Sequence, residues 1–214
     1  AQLSALGTNI TYDQEKLDNF EIGHKATWLD NRLRTTLALY QMNWSNGQVS
    51  NSQFVTNDTG SSVTFAIISN VGKVQLRGLE LETAFAATNH LTLEGSLGVA
   101  NNKVQNYVYT PSGTRIRNST NVTGNDLDQV PKVTFSFSPS YNRPATGDWD
   151  WFLRGDYLYR SKVYSDPTNV AWLGARSLVN LHLGLSKGKN LKIEGYVNNL
   201  FNDDTLNEAG LTAE

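Results

Sequence analysis

Between Lys132 and Tyr141 the side chains alternate in character: Val133, Phe135, Phe137 and Tyr141 occupy one set of positions, and Lys132, Thr134, Ser136, Ser138 and Ser140 occupy the other. Successive side chains of a strand point to opposite faces, whereas a helix would scatter both sets around its axis. The segment therefore reads as a strand with one apolar and one polar face. Leu91, Leu93, Leu97 and Val99 oppose Thr92, Glu94, Ser96 and Ala100 in the same way. The pattern recurs over 20–28, 33–44, 74–85, 149–159, 177–186 and 191–199, and no segment sustains a 3.6-residue period. The fold class is all-β, with about eight antiparallel strands.

Several of these segments approach the roughly 9 to 11 residues that a tilted strand needs to cross a bilayer. The expected apolar face carries His24, glycines and threonines but no acidic or basic residue, while the other carries Glu21, Lys25, Arg34, Glu80, Glu82, Glu94, Lys132, Asp150, Arg154, Asp156, Lys192 and Glu194. A cation facing lipid at the midplane costs about 2 to 4 kcal/mol, which gives such segregation a cause. A soluble β-sandwich also separates its faces, so the connections must discriminate. Short links at 29–32, 87–90, 142–148 and 187–190 alternate with long polar ones at 45–62, 105–130 and 160–176. That rhythm predicts an antiparallel up-and-down transmembrane β-barrel with tight turns at one rim and long loops at the other. Trp28, Phe85, Tyr141, Trp149 and Trp151 fall beside the short turns and Tyr40, Trp44, Tyr157 and Tyr159 beside the long loops, as two interfacial girdles would require.

Composition narrows the function. A net charge of -2 argues against a nucleic-acid partner. With no cysteine and three scattered histidines, His24, His90 and His182, neither a disulfide framework nor a metal centre is expected. No Ser/His/Asp set with plausible spacing appears, so neither a catalytic residue nor a cofactor is expected and the chain does not read as an enzyme.

Particular runs carry a family resemblance. DNFEIGHKATW (Asp18 to Trp28), LRTTLALYQMNW (Leu33 to Trp44), VQLRGLELETAF (Val74 to Phe85), DLDQVPKVTFSFSPSY (Asp126 to Tyr141) and EGYVNNLFNDDT (Glu194 to Thr205), in this order and spacing, resemble strands from the C-terminal part of the barrel of TonB-dependent outer-membrane receptors. The resemblance implies that residues 1–214 are a partial β-barrel domain, about eight strands of a barrel of about 22 blocked by a plug. The plug, the earlier strands and the final strand would lie outside these residues.

It also implies active import, energised by TonB through the plug region, of a scarce nutrient such as an iron–siderophore, a cobalamin or a glycan across the outer membrane of a Gram-negative bacterium. The expected partners are TonB, outer-membrane lipid and a small-molecule ligand held by the outside loops. Tyr107, Tyr109, Arg115, Arg117, Tyr164 and Trp172 are the expected ligand contacts: the arginines suit an anionic chelate and the rings a stacked sugar or aromatic group. A passive porin-type channel and a soluble extracellular β-sandwich that binds carbohydrate are the alternatives.

Overall fold

The computed structural model describes residues 11–56, 62–109 and 120–206. Its strands are β1 (Lys16–Trp28), β2 (Leu33–Thr56), β3 (Ser62–Ala86), β4 (Leu91–Asn106), β5 (Val108–Tyr109), β6 (Thr120–Asn121), β7 (Val133–Pro144), β8 (Trp149–Arg160), β9 (Val163–Tyr164), β10 (Trp172–Leu173), β11 (Arg176–Lys187) and β12 (Leu191–Val197). Eight of them form one antiparallel sheet in the order β1-β2-β3-β4-β7-β8-β11-β12, each long strand beside its neighbour in sequence. The pairs β5-β6 and β9-β10 are two-stranded ribbons in the long connections.

Register assigns the faces, because directly opposed residues share one. Leu37, Leu81, Leu97 and Phe135 form one cross-strand row, and Thr36, Glu82, Ser96 and Ser136 form the next. The apolar row has no second sheet over it among the described residues: Leu39, Leu153 and Leu183, all on strands paired at both edges, are 45%, 42% and 56% exposed. In water such a face would be a large liability, and in a bilayer it is the ordinary outer surface of a barrel wall. The buried hydrophobic residues Val104, Val122, Val163 and Leu173 all belong to the long-connection end. Compact packing therefore sits at the loop end, where the long connections meet the wall.

The short turns fall where the alternation predicts them, with Gly147 (φ 63) and Gly188 (φ 54) supplying left-handed backbone in two of them. The long connection expected at 45–62 is different. β2 runs on to Thr56 and β3 starts at Ser62, paired through Val49↔Ser69 and Phe54↔Thr64. At roughly 3.4 Å per residue the 24 residues of β2 span about 80 Å, well beyond a hydrocarbon core of about 30 Å. Beyond lipid a ladder needs only backbone pairing, so its side chains are free to be polar, and polarity was what suggested a loop. The last strand ends at Val197 rather than Asn199, because the Asn199 backbone N–H turns to the Asn180 side-chain oxygen (2.9 Å).

Two expectations about the outer face need correction. Tyr40 and Trp44 lie opposite Gly78 and Val74, in the alternation of Arg34 and Thr36, so they point to the polar inner face and are not part of an outer girdle. Arg77 lies opposite Gln41, in the alternation of Leu79 and Leu81, so the outer face does carry a cation. Tyr157 keeps its expected place, its ring centroid 6.0 Å from that of Phe135.

Candidate ligand site at the long connections

Sequence polarity prepares the inner wall. Arg154, on β8, donates from Nη1 to Glu94 Oε2 of β4 (3.1 Å) and pairs through Nη2 with Asp156 Oδ1 (2.9 Å). Ser138 Oγ donates to the same Asp156 oxygen at 2.6 Å. His182 Nδ1 lies 2.7 Å from Glu194 Oε1 and its Nε2 3.7 Å from Asp156 Oδ2, and Lys192 Nζ lies 2.6 Å from Glu194 Oε2. Alternation places all of these groups on the inner face, where Glu94, Asp156 and Glu194 each meet a cation, and Asp156 a hydroxyl as well. Aromatic rings on this face are accommodated by glycine: a Cβ on Gly78 would collide with Tyr40, and one on Gly184 would come within 2.6 Å of the Phe152 ring.

Toward the long connections, Trp44, Val74 and Val104 form one inner-face row. Above it a pocket of about 270 Å³ is lined by this row together with Tyr107, Tyr109, Asp126, Leu127, Asp128 and Pro167. The Tyr107 and Tyr109 rings meet edge to face, 6.1 Å between centroids. Burial, with Tyr109 and Asp128 adding to it, pushes the Tyr107 phenol up to about 12, and burial also raises Tyr109. Both remain neutral hydroxyls at physiological pH, able to donate or accept.

The pocket's rim is locked by polar contacts between two connections. Asp126, 6% exposed, receives Lys103 Nζ and Lys132 Nζ, each at 2.7 Å. Burial pushes its carboxyl up, but the hydrogen bonds and charges of the two lysines outweigh this and hold it below the usual carboxylate range. Asn169 binds the Asp126 backbone from the other connection, and Asn125 Nδ2 donates to the Pro167 carbonyl at 2.9 Å. The Gln129 N–H donates to the Tyr164 carbonyl at 2.8 Å. Asn102, fully buried on β4, accepts from the Leu127 N–H and ties the rim down to the wall.

The expected contacts separate into three groups. Tyr107 and Tyr109 line the pocket together. Tyr164 and Trp172 face one another across β9-β10, with Lys162 Nζ 4.5 Å from the Tyr164 ring centroid and 5.6 Å from that of Trp172, so a cation of the chain already occupies these rings. Arg115 and Arg117 lie outside the described residues. Sequence reasoning missed Trp44, Asp126, Asp128 and Pro167. The signal for Trp44 was its even spacing from Arg34 and Thr36; the others come from a segment without periodicity.

A family model described as TonB dependent receptor-like, beta-barrel, matches residues 2–200. Among curated proteins, the chain is 22% identical over 192 residues to the probable TonB-dependent siderophore receptor PiuA of Acinetobacter baumannii, covering 90% of this chain and 24% of that protein. The crystal structure of PiuA aligns with a TM-score of 0.67 at 22% identity, over 86% of this chain and 24% of that one. The ferric yersiniabactin uptake receptor FyuA of Yersinia pestis aligns with a TM-score of 0.67 at 19% identity, over 87% and 25%. The ferric-catecholate import receptor Fiu of Escherichia coli K12 gives 0.61 at 21%, over 91% and 25%. The chain thus spans about a quarter of the length of these relatives, and the structural likeness establishes a shared barrel-wall fold.

Proposed function

This chain belongs to the TonB-dependent receptor-like β-barrel family of the Gram-negative outer membrane, and we propose from that premise that it supplies wall strands and outside loops to a receptor that imports an iron–siderophore complex. The observation that carries this reading is the pocket of Trp44, Tyr107 and Tyr109 at the loop end of the inner face. An importer must first hold its ligand where the loops meet the lumen, and that is where the row of Trp44, Val74 and Val104 lies, beneath Tyr107 and Tyr109. A pocket of rings with neutral phenols suits a planar, partly apolar chelate better than a small hydrated ion.

PiuA, FyuA and Fiu are named for siderophore or ferric-chelate uptake, which favours this class over a cobalamin or a glycan. Arg115 and Arg117 would add charge-assisted bonds to an anionic chelate, and Tyr164 and Trp172 would form a second contact if the ligand displaces Lys162 from their rings. Energy would come from TonB acting through a plug region, and the ligand would pass without bond-making or bond-breaking.

The test is uptake of radiolabelled ferric siderophores by iron-starved cells with and without the gene that encodes this chain, in backgrounds with and without TonB. Saturable uptake that needs both supports the reading. Uptake that is linear in ligand concentration and indifferent to TonB would make the protein a passive channel.

A further inference from the structure

The pocket beneath the long connections is lined by two carboxylates in opposite circumstances. Asp126 is neutralised, with Lys103 Nζ and Lys132 Nζ each at 2.7 Å. Asp128, two residues on and half-buried, lines the same pocket, and its side chain makes no ion pair or hydrogen bond among the described residues. Lys73, the one cation in the described lining, lies opposite Ser45 in the alternation of Gln75 and Arg77, so its side chain leaves toward the outer face. The two lysines on Asp126 carry one charge in excess, but both side chains are about half exposed and water screens them. Asp166 is a third carboxylate near Tyr109, its oxygens taken up by the Thr168 and Ala171 N–H groups rather than by a cation.

The Asp128 charge reaches into the cavity. Burial is the main reason that the Tyr107 and Tyr109 phenols titrate high, and Asp128 adds to it at both. An unpaired carboxylate therefore faces a space walled by the rings of Trp44, Tyr107 and Tyr109. A half-buried carboxylate without a partner is costly, and the faces of aromatic rings attract positive charge. Both features favour the same occupant.

We propose that Asp128 is a specificity determinant that selects ligands with a cationic arm, an ammonium group seated among Trp44, Tyr107 and Tyr109. The inference deepens the import reading and rests on it for the ligand being a ferric chelate. It concerns the arm alone, whatever charge the iron-binding end carries. An ammonium donates charge-assisted hydrogen bonds to the carboxylate and lies over the rings, a hydroxyl of similar size offers one neutral hydrogen bond, and an anionic arm is repelled.

The test is ligand-observed NMR on the whole receptor, purified from outer membranes in mild detergent, with receptor-free micelles as the blank. The probes share a phenyl ring and differ in charge: phenethylammonium, phenethyl alcohol and phenylpropionate. Phenethylammonium is expected to bind roughly tenfold more tightly than the alcohol, with phenylpropionate weakest. Asp128→Asn should erase that order and Asp128→Glu keep most of it, while Asp148→Asn, in an exposed short turn at the opposite rim, should leave it unchanged. Equal binding of the three probes to the unaltered receptor overturns the proposal even if Asp128→Asn fails to assemble, and so does an order that survives Asp128→Asn. Uptake distinguishes this proposal from the import reading. A ferric chelate with a free terminal amine should enter cells faster than the same chelate with that amine acetylated. TonB-dependent uptake indifferent to acetylation overturns the role of Asp128 and leaves import standing. A receptor that prefers phenethylammonium but imports no ferric chelate overturns the import reading and leaves the cation site standing.

Discussion

Asn169 and Asp126 hold each other by two reciprocal hydrogen bonds: the Asp126 N–H donates to Asn169 Oδ1 at 2.8 Å, and Asn169 Nδ2 donates to the Asp126 carbonyl at 2.9 Å. One amide side chain thus satisfies both backbone groups of a buried residue in another connection. It does so from a left-handed backbone, φ 59, that asparagine tolerates better than most residues.

Replacing Asn169 with Ala should therefore separate the two connections without touching the wall. Leaving the Asp126 backbone groups unpaired costs about 1 to 3 kcal/mol for each group. Hydrogen exchange is expected to quicken across 125–129 and 163–171, while β7 and β8 keep their protection and the barrel its heat-resistant mobility. Faster exchange throughout the sheet would show that the loop cluster supports the wall.

The Asp126 carboxylate gives the same cluster a pH dependence. Its folded pKa lies below the ordinary value, because Lys103 and Lys132 outweigh its burial. A depressed carboxyl stabilises the fold above its unfolded pKa of about 3.9 and loses that contribution as pH falls through the folded value. Exchange in 120–132 should thus be slow and constant from pH 8 to pH 5, after correction for the intrinsic rate, and rise only under more acid conditions. Asp126→Asn should show the raised rate across the whole range.

Trp44 and Tyr109 provide the test of the pocket. Truncating either to Ala should weaken siderophore binding by about 1 to 3 kcal/mol, roughly 5- to 150-fold, with surface expression unchanged. Tyr109→Phe should retain most of the affinity if stacking dominates and lose it if the phenol donates. Unaltered binding in both Ala variants would remove the pocket from the ligand path.

Glycines on the inner face should differ in tolerance. A Cβ on Gly78 would meet both the Tyr40 side chain and the Val99 carbonyl oxygen at 2.7 Å, whereas one on Gly98 would meet the Thr134 hydroxyl alone. Gly78→Ala is expected to lower the yield of folded barrel, even combined with Tyr40→Ala, because the backbone oxygen cannot rotate away. Gly98→Ala should fold once Thr134 turns, and Thr134→Ala should remove any residual defect. Yields of heat-modifiable protein would decide both.

How much of this was legible in advance differs by region. The eight long strands, their neighbour-to-neighbour antiparallel order and the two faces follow from alternation, because a strand repeats every two residues and leaves no freedom in which side a residue takes. Phe135, Phe137, Ser136 and Ser138 stand where that rule puts them. Character and parity disagree at a few positions, and parity wins. Tyr40 and Trp44 are aromatic, as interfacial residues are, yet even spacing puts them inward, and Arg77 is a cation that odd spacing puts outward. The ladder from Ser45 to Ser62 is polar, as loops are, yet β2 and β3 pair there.

The sequence by itself determined the wall, since pleat and alternation are local and every second residue inherits its face from its neighbours. Only the tertiary structure decided the site. The pocket joins Trp44 to Tyr107, Asp126 and Pro167, and its rim joins Asp126 to Asn169, 43 residues away. Those contacts come from segments with no period, placed by side-chain hydrogen bonds to backbone and by the burial of Val104, Val122, Val163 and Leu173. Such bonds depend on where two distant connections are brought by the strands beneath them, and no local pattern encodes that distance.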